Sequence, residues 1–146
     1  MGRHLIAAAI CLCGISAQAQ SVNPDDARAV RAVIEAQLEA FKRDDAKGAF
    51  SYATPSIRSM FENPENFLRM VKAQYPMVYR PASFAFGEAR MIDGQLTQTV
   101  VFTDTENQRW LALYPMQRLP DGKTWRIDGC IVELVEPPKR SRGYSS

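Results

Sequence analysis

Residues 75–81 read Tyr75-Pro76-Met77-Val78-Tyr79-Arg80-Pro81, and they divide the chain into two halves of different hydrophobic period. Before them apolar residues recur every three or four positions; after them they alternate. Prolines at 76 and 81 bracket two aromatic residues and one arginine, so the joint is expected to be stiff and non-helical. Two roles fit it equally at this stage. It is a corner that sets how a helical layer meets a sheet, or its aromatic side chains wall a pocket.

N-terminal to the joint, a capping residue is followed by proline three times, at Asn23-Pro24, Thr54-Pro55 and Asn63-Pro64. Each cap offers an oxygen to an orphan backbone N–H. Each proline sits where its missing N–H costs nothing. Helices are therefore predicted from about Pro24 to Arg43, from Pro55 to Phe61 and from Pro64 to about Gln74. A short one from Asp45 to Ala53 is capped by Asp44 or Asp45. Ala27, Val30, Ile34, Leu38 and Phe41 form one apolar stripe on the first helix. Phe67, Leu68, Met70 and Val71 are the buried candidates of the fourth.

Beyond the joint, four strands are predicted: Ser83 to Ile92, Leu96 to Asp104, Arg109 to Arg118 and Thr124 to Val135. Asp93-Gly94 is a two-residue hairpin signal, and Pro120-Asp121-Gly122 closes a later turn. Short connections make an antiparallel meander with helices to one side, an α+β domain. Pairing outward from the turns places Ala85, Val100, Phe102, Leu111, Leu113, Cys130 and Val132 on one face. Phe84, Phe86, Val101, Trp110, Tyr114, Met116, Trp125, Ile127 and Ile131 fall on the other, with Glu88 and Arg90. Both faces are apolar and the helices cover one, so the other is expected to pair with a second copy or a partner.

The first residues carry the marks of a secretory signal: Arg3, an apolar run from Leu5 to Ile15, and the small-x-small pattern Ala17-Gln18-Ala19. Cleavage after Ala19 is the expectation, giving a signal peptide at residues 1–19, one α+β domain at 20–136 and a disordered basic tail at 137–146. The expected location is periplasmic or secreted, with no membrane association after cleavage. The same cut removes His4, the only histidine, and two of the three cysteines. The mature chain then has Cys130 alone. That excludes an intramolecular disulfide, serine–histidine or cysteine–histidine catalysis, and histidine-containing metal sites. Removing Arg3 takes one unit from a formal net charge of +2, a balance that does not call for nucleic acid. No cofactor and no metal site is expected.

The runs Ala40-Phe41-Lys42-Arg43-Asp44-Asp45 and Ala49-Phe50-Ser51-Tyr52-Ala53-Thr54-Pro55-Ser56-Ile57 resemble an uncharacterised bacterial family, domain of unknown function 4864. So do Asn66-Phe67 through Met70-Val71, the joint at 75–81, and Trp125-Arg126-Ile127-Asp128-Gly129-Cys130. The resemblance extends from about Ala32 to Val132. It implies the nuclear transport factor 2-like architecture: helices packed into a curved four-stranded sheet, forming a cone with a pocket. It implies no reaction and carries over no catalytic residue, because a shared fold does not fix function.

Three functional expectations follow. The first is a non-catalytic module binding a small apolar ligand, with candidate pocket residues Tyr79, Arg80, Glu88, Arg90, Trp110, Tyr114 and Trp125. The second is an interaction module or homodimer using the outer sheet face. The alternative to both is an isomerase- or cyclase-like enzyme. It would use Glu88, Asp104 or Asp128 as base and Tyr79 or Tyr114 as hydrogen-bond donor. Cys130 is expected to be an inert small hydrophobe. At the joint, Tyr79 and Arg80 are placed at the pocket rim.

Overall fold

The computed structural model describes residues 21–135; the expected signal peptide at 1–19 and the expected basic tail at 137–146 lie outside these residues. Four of its five helices start at the predicted caps, three of them followed by proline. They are α1 (Pro24–Lys42), α2 (Ala46–Ser51), α3 (Pro55–Phe61) and α4 (Pro64–Gln74). The Asn23 side chain accepts from the Asp25 N–H at 2.8 Å, and that of Asn63 from the Asn66 N–H at 2.8 Å. Asp45, rather than Asp44, caps α2 by accepting from the Gly48 N–H at 2.9 Å. Asp44 instead turns the chain with φ 54°.

The joint departs from its non-helical expectation. Residues 76–79 make one helical turn, α5 (Pro76–Tyr79). Pro76 stands at its first position, where proline's fixed φ is pre-organised and no donor is missed. The helix stops after one turn, consistent with the bias of Pro81 against helical geometry at the residue before it.

The strands are β1 (Ser83–Ile92), β2 (Gln95–Thr103), β3 (Arg109–Arg118), β4 (Trp125–Ile127) and β5 (Ile131–Leu134). All named strand pairs are antiparallel, in the order β1-β2-β3-β4, with β5 also on β3. The predicted fourth strand is thus two strands on one edge of β3. Its ladder slips by one residue, from Met116↔Ile127 to Leu113↔Ile131. Pro115 faces the gap and has no N–H to continue the ladder. Its carbonyl still accepts from the Asp128 N–H at 2.8 Å.

Two further register features correct the face assignment. A bulge between Phe86 and Ala89 pairs Phe86 with Val100 and Phe84 with Phe102. At β2–β3 the pairs are Phe102↔Trp110 and Val101↔Leu111. Val100 and Phe102 therefore join Phe84, Phe86, Trp110 and Tyr114 on the helix-facing side, while Val101 moves to the outer face. The slip at Pro115 brings Val132 inward opposite Ala112 and turns Ile131 outward, where it is 56% exposed. A single extra residue in a strand reverses every side chain beyond it. Gly87 makes the first bulge feasible: a Cβ there would lie 2.4 Å from the Thr99 Oγ1.

The core lies between α1 and the inner sheet face. Of the predicted stripe, Val30, Ile34, Leu38 and Phe41 are buried against Val100, Phe102, Tyr114 and Met116, while Ala27 is half-buried. Each such side chain contributes about 1.5–3 kcal/mol on burial, an upper bound because unfolded chains are not fully solvated. The outer face keeps Val101, Leu111 and Leu113 half-buried. No helix of the described residues is long and apolar enough to cross a membrane.

Candidate functional site

The break in the fourth strand forms one wall of a cavity of about 530 Å³. Residues 128–131 supply that wall. Tyr114 and Ile127 form the sheet side, Ile57, Met60 and Phe61 come from α3, and Phe67, Met70 and Val71 from α4. Phe67 anchors the helical side, with ring centroids 6.1, 5.5 and 5.6 Å from Phe41, Phe50 and Phe61. At the joint, Tyr75 and Val78 also line the cavity. The size and the apolar walls match small-molecule pockets in general.

A small polar scaffold holds the broken strand in place. The Asp128 carboxylate accepts from the Thr54 hydroxyl and from the Gln95 amide, both at 3.0 Å. The Thr54 N–H donates to the Ile127 carbonyl at 2.9 Å, and the Ile127 N–H donates to the Tyr52 carbonyl at 2.8 Å. The connection from α2 to α3 is thereby fastened along β4. Gly129 follows with φ 157°, backbone that side-chain-bearing residues rarely adopt. Tyr75 donates its hydroxyl to the Cys130 carbonyl at 3.2 Å, tying the joint to the same break.

Three titratable side chains meet at the sheet side of the cavity. Burial pushes the Cys130 thiol up to about 12, lifts the Tyr114 hydroxyl well above its ordinary value, and raises Tyr75. All three are neutral at pH 7, so Cys130 is not a thiolate nucleophile. Tyr114 is 1% exposed, and its buried hydroxyl has no hydrogen-bond partner. The neighbouring Cys130 thiol does not meet it with hydrogen-bond geometry.

Of the seven residues nominated from sequence, Tyr114 lines this cavity. Tyr79 and Arg80 form a clasp beside it. The Tyr79 hydroxyl donates to Asp44, and Arg80 approaches Asp44 at 3.3 Å and stacks 4.1 Å from the Tyr79 ring. Arg80 also donates to the Phe41 carbonyl at 2.6 Å, satisfying a helix-end acceptor of α1. Lys72 closes the group, 3.6 Å from Asp44. The Tyr79 hydrogen bond, aided by these cations, holds the Asp44 carboxyl below its usual range.

The other four nominated residues are dispersed. Glu88 and Arg90 are exposed on β1. Trp110 donates to Asp104 at 2.9 Å and fixes the β2–β3 loop. Trp125 lies under the Arg118 guanidinium, 4.6 Å away, and Arg118 pairs with Asp26 at 2.7 Å. Trp125 lines a second, more polar depression of about 480 Å³ near the start of α1. Gln37, Met60 and Cys130, which line the main cavity, were not nominated. Gln37 carried one signal, a polar residue beside the apolar stripe of α1. It is 4% exposed and donates to the Ala49 carbonyl at 3.1 Å.

Among the described residues, no three histidine, cysteine, aspartate or glutamate side chains converge as a metal site. The family model described as Domain of unknown function (DUF4864) matches residues 23–140. The chain belongs to that family. No curated protein and no solved structure matches the chain.

Proposed function

We propose that this member of the DUF4864 family is an exported, non-catalytic module that binds a small apolar molecule between α3, α4 and the broken fourth strand. The observation that carries this reading is the cavity of about 530 Å³ walled by Ile57, Met60, Phe61, Phe67 and Met70. A cleft of this volume with mostly apolar walls fits a guest. The helices-on-sheet arrangement is compatible with the nuclear transport factor 2-like cone. Export is supported by the sequence of residues 1–19.

Thermal unfolding in the presence of varied hydrophobic small molecules tests the binding. One chemical class is expected to raise the melting temperature, since a ligand that binds only the native state stabilises it by mass action. A flat response across a broad set overturns the reading. N-terminal sequencing of the protein recovered outside the cytoplasm tests export, with Gln20 as the expected first residue.

A second reading, an enzyme with a carboxylate base, is favoured by one placement. Asp128 lines the same cavity, whereas Glu88 is exposed and Asp104 is engaged by its own loop and Trp110. Both Asp128 oxygens accept hydrogen bonds from Thr54 and Gln95, which suits a structural tether. Catalysed deuterium exchange at a carbon beside a carbonyl, lost in Asp128→Asn, would move the balance to catalysis.

A further inference from the structure

We infer that the cavity selects neutral molecules carrying a hydrogen-bond-accepting oxygen, and that Tyr114 supplies the donor; this rests on the binding reading above. Charge and hydrogen bonding point the same way. No lysine or arginine lines the cavity, and its one charged group is the Asp128 carboxylate. An anion placed there leaves water, finds no cation and faces a negative neighbour, so it is excluded.

The polar groups along the wall are mostly committed. Gln37 donates to Ala49, Tyr75 donates to the Cys130 carbonyl, and the Asp128 oxygens hold Thr54 and Gln95. The Gln74 amide lies at the solvent-exposed edge, so among the buried groups of the wall Tyr114 is the one left open. Its hydroxyl is buried without any partner, among Cys130 and Tyr75, which line the cavity with it. Buried donors in native proteins are nearly always satisfied, and one left open is a place where an outside group belongs. The hydroxyl oxygen is closed to water at rest. A ligand oxygen reaches it only as a neighbouring side chain turns aside.

The required oxygen is an acceptor, because the Tyr114 O–H is otherwise unused as a donor. A ketone, ester or ether oxygen on an apolar skeleton meets the requirement. A carboxylate does not, since it brings charge. Hydrocarbons can enter but leave the hydroxyl unpaired.

Three matched compounds test the assignment by calorimetry on residues 20–146: 2-ethylnaphthalene, 2-acetylnaphthalene and 2-naphthoate at pH 7. In Tyr114→Phe the affinity of the ketone relative to the hydrocarbon is expected to fall about tenfold, the upper value of one net hydrogen bond. Cys130→Ala is expected to keep the wild-type ratio. The carboxylate is expected to bind at least about tenfold more weakly than the ketone, as uncompensated charge requires. An unchanged ratio in Tyr114→Phe, a ratio lost in Cys130→Ala, or a carboxylate as tight as the ketone overturns the inference while leaving the cavity a binding site. Failure of all three compounds to bind overturns the inference, while the binding reading is decided by the broad thermal-unfolding set. If Tyr114→Phe does not fold, the carboxylate comparison in the unaltered protein still decides the charge selection.

Discussion

Arg80 donates a 2.6 Å hydrogen bond to the carbonyl oxygen of Phe41 and bridges, through the same guanidinium, to Asp44. The end of α1 is thereby fixed to the joint that leads into the sheet. Phe41 is itself buried and lines the cavity, so the clasp sets the position of one cavity wall from outside. Arg80→Ala is expected to lower stability by about 1 kcal/mol. That is below the usual range for a charged hydrogen bond because the arginine is partly solvated. Urea unfolding measures it, and Arg80→Lys should recover less than half, since an ammonium cannot hold two acceptors in fork geometry.

Asp121 gives the pH dependence. Its carboxylate accepts from the Lys123 and Thr124 N–H groups at 2.8 Å and from the Thr124 hydroxyl, which lowers its pKa to about 2. A carboxyl depressed on folding stabilises the protein above its unfolded value near 3.8 and loses that contribution as pH falls toward 2. Asp121→Asn should therefore be less stable than the parent at pH 5, with the gap narrowing as pH falls through about 2. A difference that persists unchanged to pH 2 would show that the turn geometry, not the charge, is what matters.

Removing the unpaired hydroxyl tests whether it is a burden in the empty protein. Tyr114→Phe is expected to stabilise the unliganded fold by about 1 kcal/mol, because a buried donor without a partner costs about that much. Thermal and urea unfolding without ligand check this. Destabilisation instead would mean that the hydroxyl already has a partner in solution, such as a buried water.

Gly87 and Thr99 form a coupled pair across the first hairpin. Gly87→Ala would set a Cβ against the Thr99 hydroxyl oxygen, 2.4 Å away before relaxation. It is expected to cost about 1–3 kcal/mol, typical of overpacking. Thr99→Ala alone should cost about 1 kcal/mol through the lost 2.8 Å bond to the Glu88 carbonyl. The double variant should be more stable than the sum of the single losses implies. A coupling energy near zero in the double-mutant cycle counts against the steric origin of the bulge.

Helix starts were legible because their causes are local. A cap oxygen and a proline at Asn23-Pro24, Thr54-Pro55 and Asn63-Pro64 act within one turn, so the chain itself states where α1, α3 and α4 begin. The Asp93-Gly94 turn was legible for the same reason. The faces of the sheet were not. Gly87 and Pro115 each permit a one-residue slip, but neither requires one, and the ladder decides only when the partner strand is in place. The unnominated Gln37 and Met60 reach the cavity from separate helices, so their spacing along the chain carries no sign of the meeting.

By itself the sequence determined the α+β class, the helix starts and the family to which the joint at 75–81 belongs. These follow from hydrophobic period, capping chemistry and a matching run of residues. Only the tertiary structure divided the joint, turning Tyr75 and Val78 toward the cavity and binding Tyr79 and Arg80 to Asp44. It also brought Tyr114, Cys130 and Asp128 together at one break in one strand. The physical reason is distance along the chain: Asp44 and Arg80, or Thr54 and Asp128, are far apart in sequence, and packing alone brings them within hydrogen-bond reach.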